Sequence, residues 1–226
     1  MKYVDLVEGI RNFENTFWFS EYVYFKALEK LEPVRTDLSK LETKEHVEGI
    51  IKIFLIQWGA MGRIANRRDL NWEQLAKQLR SSKEAFQKLQ GKSLLDIDLD
   101  DKGVKDAIKR TYEAAKIKHI GPTTISKILH LLNPEIYVMW DEEIRKEYKA
   151  TGDAEGYLNF LKRMQVEVRE ALEERAKEKG CNEKEIEKEI CRELPSEKLG
   201  QEYSRKTLAK LIDEYNRWFV HVMKKK

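Results

Sequence analysis

Scarcity of chain breakers constrains this sequence more than any other feature: its 226 residues hold only four prolines and eleven glycines. Between the breaks, apolar residues return every three or four positions, the spacing that turns one side of an α-helix inward. Val47, Ile50, Ile51, Phe54, Leu55 and Trp58 make one such stripe. Val104, Ala107, Ile108, Thr111, Tyr112 and Ala115 make a second, and Leu208, Leu211, Ile212, Tyr215, Phe219 and Val222 a third. No run alternates over a strand's length, and no segment repeats. The pattern predicts an all-α fold of about eight to ten helices over residues 1–226, either one compact unit or two lobes sharing a cleft.

Breaks are expected at Pro33, after Trp58 in WGAMGR, from Gly91 to Gly103, at Asn133-Pro134, at Thr151-Gly152-Asp153, at Gly180 and at Pro195. With 41% hydrophobic residues against 37% charged, there is enough apolar material to offset chain entropy, so a disordered chain is excluded. The opening MKYVDLVEGIRNFENTFWF places acidic residues in its first turns and has no small-residue cleavage site. No stretch has the apolar length to cross a bilayer, so a cytoplasmic protein without a membrane partner is expected. Abundant Lys, Glu and Ile fit a thermophile-like composition. Cys181 and Cys191, if on one helix, stand about 15 Å apart and are expected to be ordinary thiols. The aromatic run FENTFWFSEYVYF keeps helical spacing at Phe13, Phe17, Tyr24, Leu28 and Leu31, which favours a core helix over a base-stacking surface.

Charge is unevenly distributed. Residues 102–127 carry a net +5, residues 63–92 another +5, and residues 167–198 a net −3. A polyanion-binding face has this look, and a charge-dense stretch such as 167–198 reads as a solvated helix surface.

Residues 116–144, KIKHIGPTTISKILHLLNPEIYVMWDEEI, concentrate the chemistry. A helix from Val104 to about Lys118 must turn sharply at His119-Ile120-Gly121. Pro122 suits the first position of the next helix, which Asn133-Pro134 ends. The amides of Thr123 and Thr124 are then left beside a glycine with no side chain to block an anion, and a phosphate fits such a helix start. Lys116, Lys118 and His119 flank the turn, and Arg63, Arg67 and Arg68 in MGRIANRRDLNW supply a second set of backbone contacts.

Ile117, Ile120, Gly121, Pro122, Thr124, Ile125, Ile128 and Leu129 resemble the helix-hairpin-helix motif, and the following Ile136-Tyr137-Val138-Met139-Trp140-Asp141 resembles its continuation in the helix-hairpin-helix DNA glycosylase superfamily. The resemblance spans about residues 104–148. It implies an all-α DNA-binding protein of base-excision repair, with Asp141 as the carboxylate that stabilises positive charge on the deoxyribose as an N-glycosidic bond breaks. Asp141 also reads as the N-cap of Glu142-Glu143-Ile144. His119 stands where the family has a glycine, and a histidine accepts positive φ at a cost. The lysine of lyase-capable members corresponds to Thr123 here. Lys127, one turn on, is either its replacement or an exposed helix lysine. With two cysteines only, no iron-sulfur cluster and no cofactor are expected. Trp58 and Trp140 are candidates to line a base pocket or to pack in the core. Asp96, Asp98 and Asp100 read as a helix-capping loop rather than a cation site, and the four histidines are too scattered for a metal centre. Three functions fit: a glycosylase acting through Asp141, a non-catalytic DNA-binding protein of the same fold, and a helical protein-interaction domain.

Overall fold

Helix α1, Tyr3–Thr36, is the longest among the described residues at 34 residues. The computed structural model describes residues 1–58, 61–193 and 206–225, without the side chains of residues 16–20, 193 and 225. The expected break at Pro33 does not stop α1, because the ring removes a donor only in the final turn, where the Asp37 amide still closes on the Pro33 carbonyl at 3.3 Å. Phe13, Tyr24 and Leu31 of the aromatic run are buried as core residues. Phe17 lies outside the described side chains.

A 3-10 turn at Leu38–Lys40, capped by Asp37, leads to a π-helix at Thr43–Ile51 that continues as α2, Lys52–Trp58. The wider winding starts where the Glu42 carbonyl accepts from both His46 and Val47 at 3.1 Å. It keeps Val47 and Ile51 in line with the buried Phe54, Leu55 and Trp58, and rolls Ile50 half out of the core. Short helices follow: α3 (Gly62–Ala65), α4 (Trp72–Ser81) and α5 (Lys83–Leu89). The acidic loop after them is a capping structure, with Asp98 accepting from the Asp100 and Asp101 amides and Asp101 capping α6 through the Val104 amide.

Helix α6 is Lys102–Ala114, ending four residues before the expected Lys118, and α7 is Pro122–Leu132. Helix α8 is Glu142–Glu147; α9, Ala154–Lys179, is capped by Asp153 and stopped by Gly180 at φ 68°. That break separates Cys181 from Cys191 in α10, Glu183–Glu193, and both remain thiols. Helix α11, Leu208–His221, is capped by Thr207. Among the described residues there is no strand, and no helix is long and apolar enough to cross a membrane.

Helix α1 packs against α11, α2, α7 and α9, while α6 bridges α5 and α9, and α8 lies on α11. The apolar core is one contiguous cluster from Leu6 to Val220. Each large buried side chain stabilises it by about 1.5–3 kcal/mol. Aromatic side chains of α11 lie so close on α1 that a Cβ on Gly9 would meet the Trp218 ring at 2.8 Å and the Tyr215 ring at 2.9 Å. Only glycine fits there.

Candidate functional site

The turn between α6 and α7 is anchored from below by Ile117 and Ile120, both buried. His119 between them holds φ 71°, the left-handed conformation that favours glycine. Gly121 caps α7 in extended geometry without a side-chain bond, Pro122 takes the first helical position, and the first helical hydrogen bond is Ile125 N–H to Gly121 O at 3.0 Å. The Thr123 and Thr124 amides thus precede the ladder. The Thr124 side chain turns inward, its hydroxyl donating to Met61 Sδ at 3.1 Å, whereas Gly121, Pro122 and Thr123 stay half-buried.

Asp69 draws two of the expected phosphate contacts onto itself. Arg67 donates to both its oxygens, at 3.0 and 3.1 Å, and His119 Nε2 stands 2.7 Å from Oδ2. The Arg67 hydrogen bonds hold the Asp69 carboxyl far below the usual range. Lys116 pairs with Glu113 at 3.5 Å. Lys118, Arg63 and Arg68 are exposed and make no ion pair among the described residues, and Arg68 lines a surface cleft of ≈ 530 Å³.

The extended segment Ile136 to Trp140 is buried and stitched to α7. Ser126 Oγ accepts from the Trp140 amide at 3.1 Å, and the Trp140 indole donates to the Pro122 carbonyl at 3.1 Å. Trp140 is enclosed by Tyr157 and Phe160, so it braces the start of α7 from within rather than lining a pocket. This places Asp141 at the start of α8, where Oδ1 accepts from the Ile144 amide at 2.9 Å and Oδ2 meets His221 Nε2 at 2.7 Å. Burial alone would raise its pKa. The Ile144 amide, His221 and the Arg217 charge outweigh burial and hold it below the ordinary value, so Asp141 is an ionised carboxylate.

Lys127 is not an exposed helix lysine. Every α7 residue from Thr124 to Leu132 is buried, Lys127 at 3% exposure, and α1 and α6 pack against the helix. Its Nζ stands 5.1 Å from the Trp58 ring centre. Burial, then Arg217, lowers its pKa to about 8, against the opposing fields of Asp213 and Asp141. No carboxylate among the described residues reaches ion-pair distance of it. Trp58 stacks on Phe54 at 5.2 Å, also faces Lys210 at 5.5 Å and Arg217 at 5.8 Å, and its indole N–H finds no acceptor among the described residues.

Behind this lies a buried ionic cluster that hydrophobic periodicity gives no sign of. Lys206 reaches Glu14 at 2.5 Å, Glu214 at 2.7 Å and Glu21 at 2.9 Å; Lys210 reaches Glu214 at 2.7 Å and Glu21 at 2.9 Å. Burial raises Glu214 to about 7 and Asp213 to about 6, whereas the two lysines overcome burial at Glu21 and hold it near about 2. Beside it, Tyr24 and His130 Nε2 are 2.8 Å apart, and His130 Nδ1 lies 2.5 Å from the Tyr137 carbonyl. The carbonyl only accepts, so Nδ1 carries the proton and Tyr24 donates to Nε2. Burial lowers His130 to about 3 and keeps it neutral. One signal was present in the sequence: Glu14 and Glu21 sit seven apart on the aromatic face of α1, and Lys210 and Glu214 four apart on α11. In comparisons with known proteins, no family model, curated protein or solved structure matches the chain.

Proposed function

We propose that the chain is a DNA-binding protein of the helix-hairpin-helix glycosylase type that releases a base by breaking its N-glycosidic bond. The observation that carries the reading is an ionised Asp141 with both oxygens oriented at the start of α8, beside a buried amine on α7 that feels its field. The α6-turn-α7 hairpin takes a DNA phosphate at the Thr123 and Thr124 amides, with Lys118, Arg63 and Arg68 on neighbouring phosphates. As the base departs with the bonding electron pair and gains a proton, positive charge grows on the deoxyribose, and the Asp141 carboxylate stabilises it. Water then adds at C1′ and gives up a proton. In the fraction of molecules whose Lys127 amine is neutral, that amine adds at C1′ in place of water and loses a proton, and the C1′–O4′ bond then breaks, O4′ taking up a proton, to give the imine.

Release of bases from a panel of lesion-bearing duplexes tests this. Asp141→Asn keeps the cap and abolishes release, and borohydride traps a covalent complex that Lys127→Ala removes. Release undiminished in Asp141→Asn refutes the role of the carboxylate. Absence of release from every duplex leaves the second reading, DNA binding without catalysis, which is favoured by Asp141 already being occupied by the Ile144 amide and His221. Affinity independent of salt refutes both, because contacts to phosphate release counterions.

A further inference from the structure

Three hydrogen-bond donors, from a loop and from a turn 50 residues further on, converge on the Asp69 carboxylate. Arg67 Nε donates to Oδ1 at 3.0 Å and Arg67 Nη2 to Oδ2 at 3.1 Å, while His119 Nε2 meets Oδ2 at 2.7 Å. The ionised carboxylate only accepts, so His119 Nε2 carries a hydrogen and donates. A guanidinium only donates, so the 3.4 Å between Arg67 Nη2 and His119 Nε2 sets two N–H groups side by side. Two donors held that close need an anion in front of them. The constellation is therefore a receptor for an oxyanion, and Asp69 is the one in place.

That occupant is exchangeable. Asp69 keeps 51% of its side-chain surface open to water and Arg67 44%, and an ion pair so exposed holds weakly. Asp69 also lines the cleft of ≈ 530 Å³ beside Arg68, which gives the carboxylate room to turn away. A phosphate offers the Arg67 fork two neighbouring oxygens as a carboxylate does, and keeps a further oxygen for other donors. His119 bears the cost of a left-handed backbone, φ 71°, at the point where its ring joins this site. It belongs to the turn that leads into α7, so a phosphate received here lies on the hairpin itself.

We infer that Arg67 and His119 form a phosphate site that the Asp69 carboxylate fills in the free protein and that a ligand phosphate takes over by displacing it. The source of that phosphate is a nucleic-acid backbone, which rests on the reading of the chain as a DNA-binding protein. A backbone already held by the hairpin amides presents its next phosphate at high local concentration, and this favours the exchange.

Duplex binding by the full chain over a salt series tests it, in wild type, in Asp69→Asn and in Arg67→Ala combined with Asp69→Asn, with circular dichroism checking that each is folded. Asp69→Asn is expected to bind roughly two- to fivefold tighter, since the phosphate no longer competes with an exposed ion pair. The double variant keeps the wild-type net charge, so a plot of log K against log salt that is shallower by about 0.9 records the loss of one phosphate contact rather than of overall charge. A double variant with the wild-type slope, or an Asp69→Asn affinity no tighter than wild type, overturns the inference and leaves the DNA reading in place. If wild-type binding is independent of salt, the DNA reading falls, and inorganic phosphate becomes the probe, followed by NMR at the His119 ring with His119→Gln to assign the signal. Saturable shifts, with an affinity roughly two- to fivefold higher in Asp69→Asn, then keep the phosphate site and remove the nucleic acid as its source. Absence of those shifts in both proteins removes the site as well.

Discussion

Replacing Lys127 with methionine is expected to make the protein more stable. The ammonium has an ordinary pKa of 10.5 in the unfolded chain and about 8 in the fold, with burial as the largest cause. Each pH unit corresponds to 1.36 kcal/mol, so at neutral pH the fold works against the charged lysine by about 3 kcal/mol. Methionine fills the same volume without that cost. It forgoes the attraction of the ammonium to the Trp58 ring at 5.1 Å, about 1–2 kcal/mol in a desolvated setting. The net expectation for Lys127→Met is a gain of about 1–2 kcal/mol, or roughly 2–8 °C in melting temperature for a chain of this size. Direction with pH sharpens the test. The folded lysine releases its proton before the unfolded one, so the unfolded state binds more protons between about pH 8 and 10.5, and wild-type stability rises across that window. The variant lacks that rise. Urea denaturation at pH 7, 9 and 10.5 measures both. A loss of stability in Lys127→Met at pH 7, or a wild-type profile that falls over the window, refutes the argument that this lysine is retained against stability.

Lys210→Met acts in the opposite sense: stripping the cation from Glu21 and Glu214 inside the core costs about 3–5 kcal/mol, read from urea midpoints, and Lys210→Met with Glu21→Gln recovers part of it. Stability through this cluster also falls as pH rises from about 4.5 to 7, because folded Glu214 keeps its proton to about 7 while the unfolded side chain has lost it; a fluorescence-monitored pH series checks the slope. At the turn, His119→Gly changes stability by less than about 1 kcal/mol, relief of the left-handed backbone offsetting loss of the Asp69 contact. His119→Val, β-branched at the same φ of 71°, costs roughly 1–3 kcal/mol in the same denaturation assay.

Helical periodicity carried the fold class because most stripe residues do face the core: Val104, Ala107, Ile108 and Tyr112 are buried, as are Leu208, Leu211 and Ile212. Boundaries followed local chemistry where that chemistry was strong, at Pro122, Asn133, Asp153 and Gly180. They failed at Pro33, which falls in the final turn of α1 and so does not stop it, and at Ala115, after which the chain leaves the helix and buries Ile117 and Ile120. Asp141 as a cap was legible from its position alone, whereas its pairing with His221 is made across 80 residues and leaves no local trace. Lys127 was misleading for a related reason. A charged residue on a helix reads as solvent-facing unless the covering elements are known. The pairing of Arg67 and His119 with Asp69 was hidden in the same way, two residues away in one case and 50 in the other.

The union of Glu14 and Glu21 with Lys206 and Lys210 joins side chains 189 and 192 residues apart. During synthesis, therefore, α1 is made long before Lys206 and Lys210 exist, and its aromatic face lacks the countercharges for its two carboxylates until α11 has been made. Closing the core around these carboxylates is thus a long-range event, in which α1 waits for α11.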